Sequence, residues 1–186
     1  MTAATLDEPL IDVTYLREKH PDRTFDDTQA SIVIAEASAA IRAYCGWHLV
    51  PSVAEDITVD GSGSTILLLP TTHLTAVTAL VEDSEPVDLA SVEWSESGYL
   101  RRSTAWTSRL RGVIASIEHG YARPPDELRA VAASAVLRAL SSPQGGVTSE
   151  QVGAVSRTYA STATAMLSDD EYAVLARRYC VHPVAT

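Results

Sequence analysis

A chain of 186 residues with 46% hydrophobic and 20% charged side chains has the makeup of one globular domain, able to bury roughly 70% of its unfolded surface. Its net charge of −10, with Lys19 the only lysine and the arginines scattered, argues against a protein that grips nucleic acid through its backbone. Such grips set clustered Lys and Arg against phosphates and release counterions.

The densest apolar run, Ile66 to Leu69, stops at Pro70, far short of the about 20 apolar residues of a membrane helix. The opening MTAATLDEPLID carries acids before any base and no apolar centre, so it does not read as a signal peptide and synthesis in the cytoplasm is expected. Cys45 and Cys180 have no metal-binding spacing and read as free thiols, with Cys45 a packing residue.

In chain order, residues 1–27 form a polar lead-in, with a short helix predicted from Val13 to His20, capped by Asp12 and stopped by Pro21. The stretch 28–51 organises the rest. Ile34, Ala37, Ile41 and Tyr44 recur at i, i+3, i+7 and i+10 and are expected to line one helical face. Asp26, Asp27 and Thr28 offer caps, Gly46 and Pro51 end the helix, and Trp47 is expected to pin that end.

From Ser52 to Tyr121 the period changes to two. Ile57 and Val59 alternate with Asp56, Thr58 and Asp60, and DGSGS at 60–64 reads as a turn, so 55–69 is expected to be a hairpin. Strands are predicted at Thr75–Glu82, Ser91–Trp94, Tyr99–Arg101 and Val113–His119, with 82–88 a loop. Short strands without intervening helices imply an antiparallel sheet or barrel. Helical patterning returns after Pro124 and Pro125, where Leu128, Val131, Ala132, Ala135 and Ala139 form a stripe through Leu140. SSPQGG at 141–146 breaks it, and 147–163 reads equally as helix or extended arm. Ser168 to Glu171 has the form of a capping box before a last helix carrying Tyr172, Leu175 and Tyr179. The expected fold is α+β, a small helical bundle with an inserted antiparallel β-subdomain. In it, 1–53 is the N-terminal helical part, 54–121 the insertion, and 122–186 the C-terminal helices and arm that complete the bundle.

No reaction centre emerges from residue chemistry. His20, His48, His73, His119 and His182 show no i, i+4 spacing of a helical zinc site, so no metal ligand set is expected. Asp56 and Asp60 share a strand face and are the sole acid–base candidate, more simply read as solvated. The acids of 82–88 lack calcium-loop spacing, and neither a nucleophile elbow nor a phosphate loop is present. Arg101, Arg102, Arg109 and Arg111 with Trp106 form the one basic cluster, assigned to acidic patches on a neighbouring protein rather than to nucleic acid. Trp47, Trp94 and Trp106 can equally be core anchors.

Several phrases in order carry a resemblance. IAEASAAIRAYCGWHLVP, DGSGSTILLLP and LTAVTALVED, then GVIASIEHGYARPPDELRAVAASAVLRAL and VGAVSRTYAS…LSDDEYAVLARRY, resemble the head-to-tail adaptor, or connector, proteins of tailed bacteriophages over roughly residues 10–180. The resemblance implies a non-enzymatic neck protein without cofactor, made in the host cytoplasm and placed in the virion. It implies a dodecameric ring beneath the portal that extends the DNA channel, without specific DNA binding, and docks the stopper or tail-completion protein. C-terminal segments are expected to contact the portal. Arg157, Tyr159, Tyr172, Arg177 and Arg178, with Arg101, Arg102 and Trp106, are the expected interface residues, since Tyr and Arg are favoured anchors. The alternatives are a head-closure, stopper or tail-completion protein, or a small hydrolase built on Asp56 and Asp60.

Overall fold

The computed structural model describes residues 8–141, 149–152, 155–158 and 167–181. Helices and antiparallel strands combine in an α+β fold with the large sheet inserted between the second and third helices. The chain divides into two compact units: one built on Tyr44–Pro124 and the chain from Ala176 onward, the other on Pro9–Ala43 and Pro125–Leu175.

The second unit is mainly helical. Helix α1, Val13–Lys19, is capped as expected, the Tyr15 amide donating to Asp12 Oδ1 at 2.7 Å. Helix α2, Asp27–Cys45, takes its cap from Asp26, whose Oδ1 accepts from the Gln29 amide at 2.8 Å, an arrangement contributing about 1 kcal/mol. Ile34, Ala37 and Ile41 are buried as predicted, but Tyr44 is exposed and Cys45 continues the stripe. The reason is angular: at 100° per residue, position i+10 falls about 80° off the stripe whereas i+11 returns to it. Helix α3, Asp126–Ser141, buries Leu128, Val131, Ala132, Ala133, Ala135 and Val136, while Ala139 is only half-buried. Helix α4, Asp169–Arg178, opens on the predicted capping box, the Ser168 amide donating to Glu171 Oε2 at 2.7 Å and the Glu171 amide facing Ser168 Oγ at 3.4 Å. That same Glu171 oxygen also accepts from Arg138 of α3. Ser149–Val152 and Val155–Thr158 pair as an antiparallel two-stranded ribbon (β8 and β9, following the strands below) with Glu150 opposite Arg157, so these eight residues of the 147–163 stretch are extended, and the rest of it lies outside the described residues.

The first unit carries two sheets. Strands β1 (Val53–Val59), β7 (Val113–His119), β3 (Leu74–Glu82) and β4 (Glu85–Pro86) lie side by side in that order. Strands β2 (Ile66–Leu68), β6 (Tyr99–Arg101) and β5 (Glu93–Trp94) form the smaller sheet, with a 3-10 turn at Leu89–Ser91. Leu67, Leu69, Leu74, Leu80, Leu100, Trp106, Val113, Ala115 and Ile117 make one buried cluster, each large aliphatic contributing about 1.5–3 kcal/mol.

Two expectations are corrected. The 55–69 hairpin does not form: β1 pairs with β7, and β2 pairs with β6 in the other sheet. The DGSGS turn is held instead by the 107–109 loop, the Gly61 amide donating to Arg109 O and the Gly63 amide to Thr107 O. A Cβ on Gly61 would stand 2.0 Å from Thr107 O, so glycine there serves a close backbone approach rather than a hairpin tip. The 82–88 loop is itself a tight hairpin, with Asp83 and Ser84 at φ 51 and 74 and Glu82 facing Glu85. Two central residues at positive φ match the right-handed strand twist, which is why two residues suffice.

Candidate functional site

Strand β7 alternates strictly, with Val113, Ala115, Ile117 and His119 buried. His119 is thus a titratable group in a position the pattern reserves for an apolar one. Across the ladder Val53 faces His119 and Glu55 faces Ile117, placing Glu55 on the same face as His119. Its Oε1 lies 2.8 Å from His119 Nε2. The loop after α2 brings in His48, whose ring meets His119 edge-on at 4.6 Å between centroids and whose Nε2 lies 2.9 Å from Pro51 O. Burial first, and then the neighbouring His119, push the His48 pKa down. Trp47 stacks on His119 at 6.0 Å, and its Nε1 donates to Tyr179 O at 2.6 Å, so Trp47 pins the helix end as expected. Tyr121 lies flat on His73 at 4.0 Å. His73 Nδ1 approaches Glu96 Oε1 to 2.6 Å, an ion-pair distance without hydrogen-bond geometry, since Nδ1 has no hydrogen-bond partner. Burial and the nearby Glu96 charge raise the Tyr121 pKa.

Chain spacing concealed this group. Helical i, i+4 spacing does not reveal it, because strand pairing and a loop, not a helical turn, join His48, Glu55 and His119. The available signal was Glu55 sharing the inward register of Ile57 and Val59, matched by His119 on the register of Ile117. Among the described residues these three are the set whose donor atoms could hold a metal ion.

At the opposite end of β7 the predicted basic cluster is dispersed among acids. Arg102 lies over the Trp106 ring at 4.0 Å and donates to Glu82 Oε1 at 2.8 Å and to Ala105 O at 2.7 Å. Glu82 Oε1 also accepts from the Thr107 amide at 2.6 Å. Trp106 is buried and the Arg102 side chain only 9% exposed, so both are occupied inside this unit. Arg101, in contrast, is on the outer face of the small sheet, paired with exposed Glu93. Arg109 stands 3.3 Å from Asp83, and the Arg111 amide donates to Asp60 Oδ1 at 2.6 Å. Asp56 is also committed, accepting from Ser116 Oγ at 2.5 Å. The acid–base candidates are therefore exposed carboxylates, Asp56 within β1 and Asp60 just past its end. Asp60 borders a surface depression shared with Thr58, Leu68, Pro70 and Arg111, while Asp56 lines none of it.

Of the remaining expected interface residues, Arg177 and Arg178 are exposed at the end of α4 and Tyr172 is half-buried on it. Arg157 lies on β9 opposite Glu150, and Tyr159 is outside the described residues. Exposed apolar side chains add surface that the sequence did not single out: Ile66 and Tyr99 on the small sheet, and Leu110, 81% exposed, in the loop before β7. Cys45 and Cys180 are free, and burial, aided by Cys180, raises the Cys45 pKa. Among the described residues no helix is long and apolar enough to cross a membrane.

The sequence matches no family model and no curated protein. Its fold, however, is similar to chains of gene transfer agent (GTA) particles. One, from the neck of an empty GTA particle computed with C6 symmetry, has a TM-score of 0.60 at 16% identity, over 100% of this chain and 96% of that one. Another, from the neck of the native particle computed with C12 symmetry, has a TM-score of 0.58 at 16% identity over the same shares. A third, from the virion of the native particle, has a TM-score of 0.57 at 16% identity, covering 95% of this chain and 93% of that one. At such identity the likeness is one of fold, and it runs the length of both chains: this protein carries a fold found in the neck of phage-like particles.

Proposed function

We propose that this chain is a structural head-to-tail adaptor of a phage neck, forming a ring that binds the portal, extends the DNA channel and docks the stopper or tail. The observation that carries the reading is the end-to-end fold likeness to chains from necks computed with sixfold and twelvefold symmetry, joined to the ordered sequence resemblance to the adaptor family. The role is assembly rather than catalysis. Packed helices in one unit and two sheets in the other supply the surfaces from which a ring is built. Arg101, Tyr172, Arg177 and Arg178, with the Arg157 and Tyr159 segment, supply anchors to neighbours. A net charge of −10 repels DNA phosphates within a Debye length of about 8 Å, easing passage through the channel.

The test is reconstitution. The purified chain, expected to be monomeric by light scattering, is mixed with portal rings and imaged by electron microscopy. An added ring directly beneath the portal supports the adaptor. Density found only distal to another ring assigns the chain to the stopper or tail-completion position, and no association removes the neck reading.

A further inference from the structure

We propose that His48, Glu55 and His119 bind one divalent ion of the zinc class, with water completing its coordination. This goes beyond the neck reading and does not depend on it. Two imidazoles and one carboxylate are a donor set that zinc accepts, three protein ligands leaving a position for water. In the first unit their donor atoms already lie within 4.8 Å of one another. A tetrahedral ion with bonds of 2.0–2.2 Å needs donors about 3.3–3.5 Å apart. Closing the site therefore draws the widest pair together by at most about 1.5 Å and opens the His119–Glu55 contact by about 0.5–0.7 Å.

The side chains are placed to make that adjustment. His119 is 2% exposed and stacked by Trp47, whereas the Glu55 side chain is 40% exposed and reaches the cluster from the solvent side. His119 also carries an unmet need: with Nε2 engaged by Glu55, its Nδ1 is buried without a hydrogen-bond partner. A buried ring with one idle nitrogen is costly, and His119 keeps one ring nitrogen uncommitted to any partner in this unit. His48 enters the cluster from the loop after α2, its ring edge-on to His119 at 4.6 Å between centroids. Finally, a Cβ on Gly120 would lie 2.6 Å from His48 Nε2 and 2.5 Å from Pro51 O, so only glycine lets this ring sit where it does. The ion would tie the start of β1, the last residue of β7 and the loop after α2 into one node.

The experiment uses the full chain without a polyhistidine tag, stripped with EDTA and then given Zn2+ or Co2+ alone. Calorimetry is expected to show one Zn2+ per chain, with at least ten-fold weaker binding in Glu55→Gln and in His48→Gln. Both positions are exposed enough for these variants to fold, and circular dichroism verifies that they do. A hundred-fold excess of Zn2+ over its Kd is expected to raise Tm by about 5–10 °C in the parent chain. Co2+ should give the visible absorption of a low-coordinate nitrogen–oxygen site. A thiolate-to-cobalt charge-transfer band would instead place the ion on Cys45 and Cys180 and overturn the proposal. So would a calorimetric blank at 100-fold molar excess, which leaves a plain His119–Glu55 pair, or binding that survives both substitutions.

Discussion

The two ends of β7 solve the same problem with different chemistry. At the Val113 end a basic side chain, Arg102, is held against Glu82; at the other end His119 is held against Glu55. A guanidinium stays protonated at any pH the fold survives and offers a planar fork, used here on Glu82, a backbone carbonyl and the Trp106 face. An imidazole can lose its proton, exchange partners or take a metal. The first end is thus a fixed strut and the second an adjustable joint. The difference also shows how a half-buried pair contributes: less through the attraction itself than through the cost of leaving one member alone.

The strut predicts the largest effect. Arg102→Ala leaves Glu82 largely buried beside Trp106 without its cation, and urea unfolding should register a loss of about 3–5 kcal/mol. Arg102→Lys should lose less, since charge persists while the fork and the ring stacking do not. A loss under about 1 kcal/mol for Arg102→Ala would equate this pair with a surface one and dissolve the contrast. At the joint, Gly120→Ala comes next. Gly120 sits at φ 101 with Pro51 O and His48 Nε2 in the space a Cβ would take, so about 2–3 kcal/mol of strain and displacement is expected. Thermal unfolding should show it as a Tm lower by about 5–10 °C.

Acidification separates the ends without mutation. His48 has its folded pKa pushed below the ordinary 6.5 by burial and then by His119. Below pH 6.5 the unfolded chain therefore binds a proton that the folded chain refuses, and stability falls as pH drops through that window down to the folded pKa, then levels for this group. In metal-free protein the slope for one proton is at most about 1.4 kcal/mol per pH unit. Denaturant midpoints between pH 7.5 and 5 should show it, and His48→Gln should flatten it, while Arg102→Ala should leave it in place.

What could be read from the chain follows from which interactions are local. The Asp12 cap, the Ser168–Glu171 box and the strand at Val113–His119 are decided within a few residues, and all three appear in the structure as expected. The partner of β1 is not local. A glycine-rich turn after an alternating strand looks the same whether it closes a hairpin or packs on a distant loop, and Gly61 does the latter. Tyr44 failed for a local reason, the drift of helical phase over ten residues. For the candidate site, Glu55 and His119 were visible as polar intruders in inward registers, but their meeting depends on β1 pairing with β7, and His48 enters from a loop that no periodicity describes.

Arg101 gives the smallest and most discriminating expectation. It is adjacent to Arg102 in sequence, yet strand alternation turns it to the outer face of the small sheet. There its Nε donates to Glu93 Oε2 at 2.7 Å with both side chains about two-thirds exposed, 67% and 71%. Solvent screens such a pair and ordering two long side chains opposes it, so Arg101→Ala should change stability by no more than about 0.5 kcal/mol. The same exposure makes Arg101 available to a neighbour, where a desolvated arginine contact can be an anchor. If the proposed ring uses this face, Arg101→Ala should weaken association with portal at least ten-fold in sedimentation while leaving the unfolding curve unmoved. A variant that binds normally takes Arg101 out of the interface. One that unfolds as easily as Arg102→Ala breaks the distinction between buried and exposed arginines on which both expectations rest, because alternation along β6 would then not be what sets the worth of a charge.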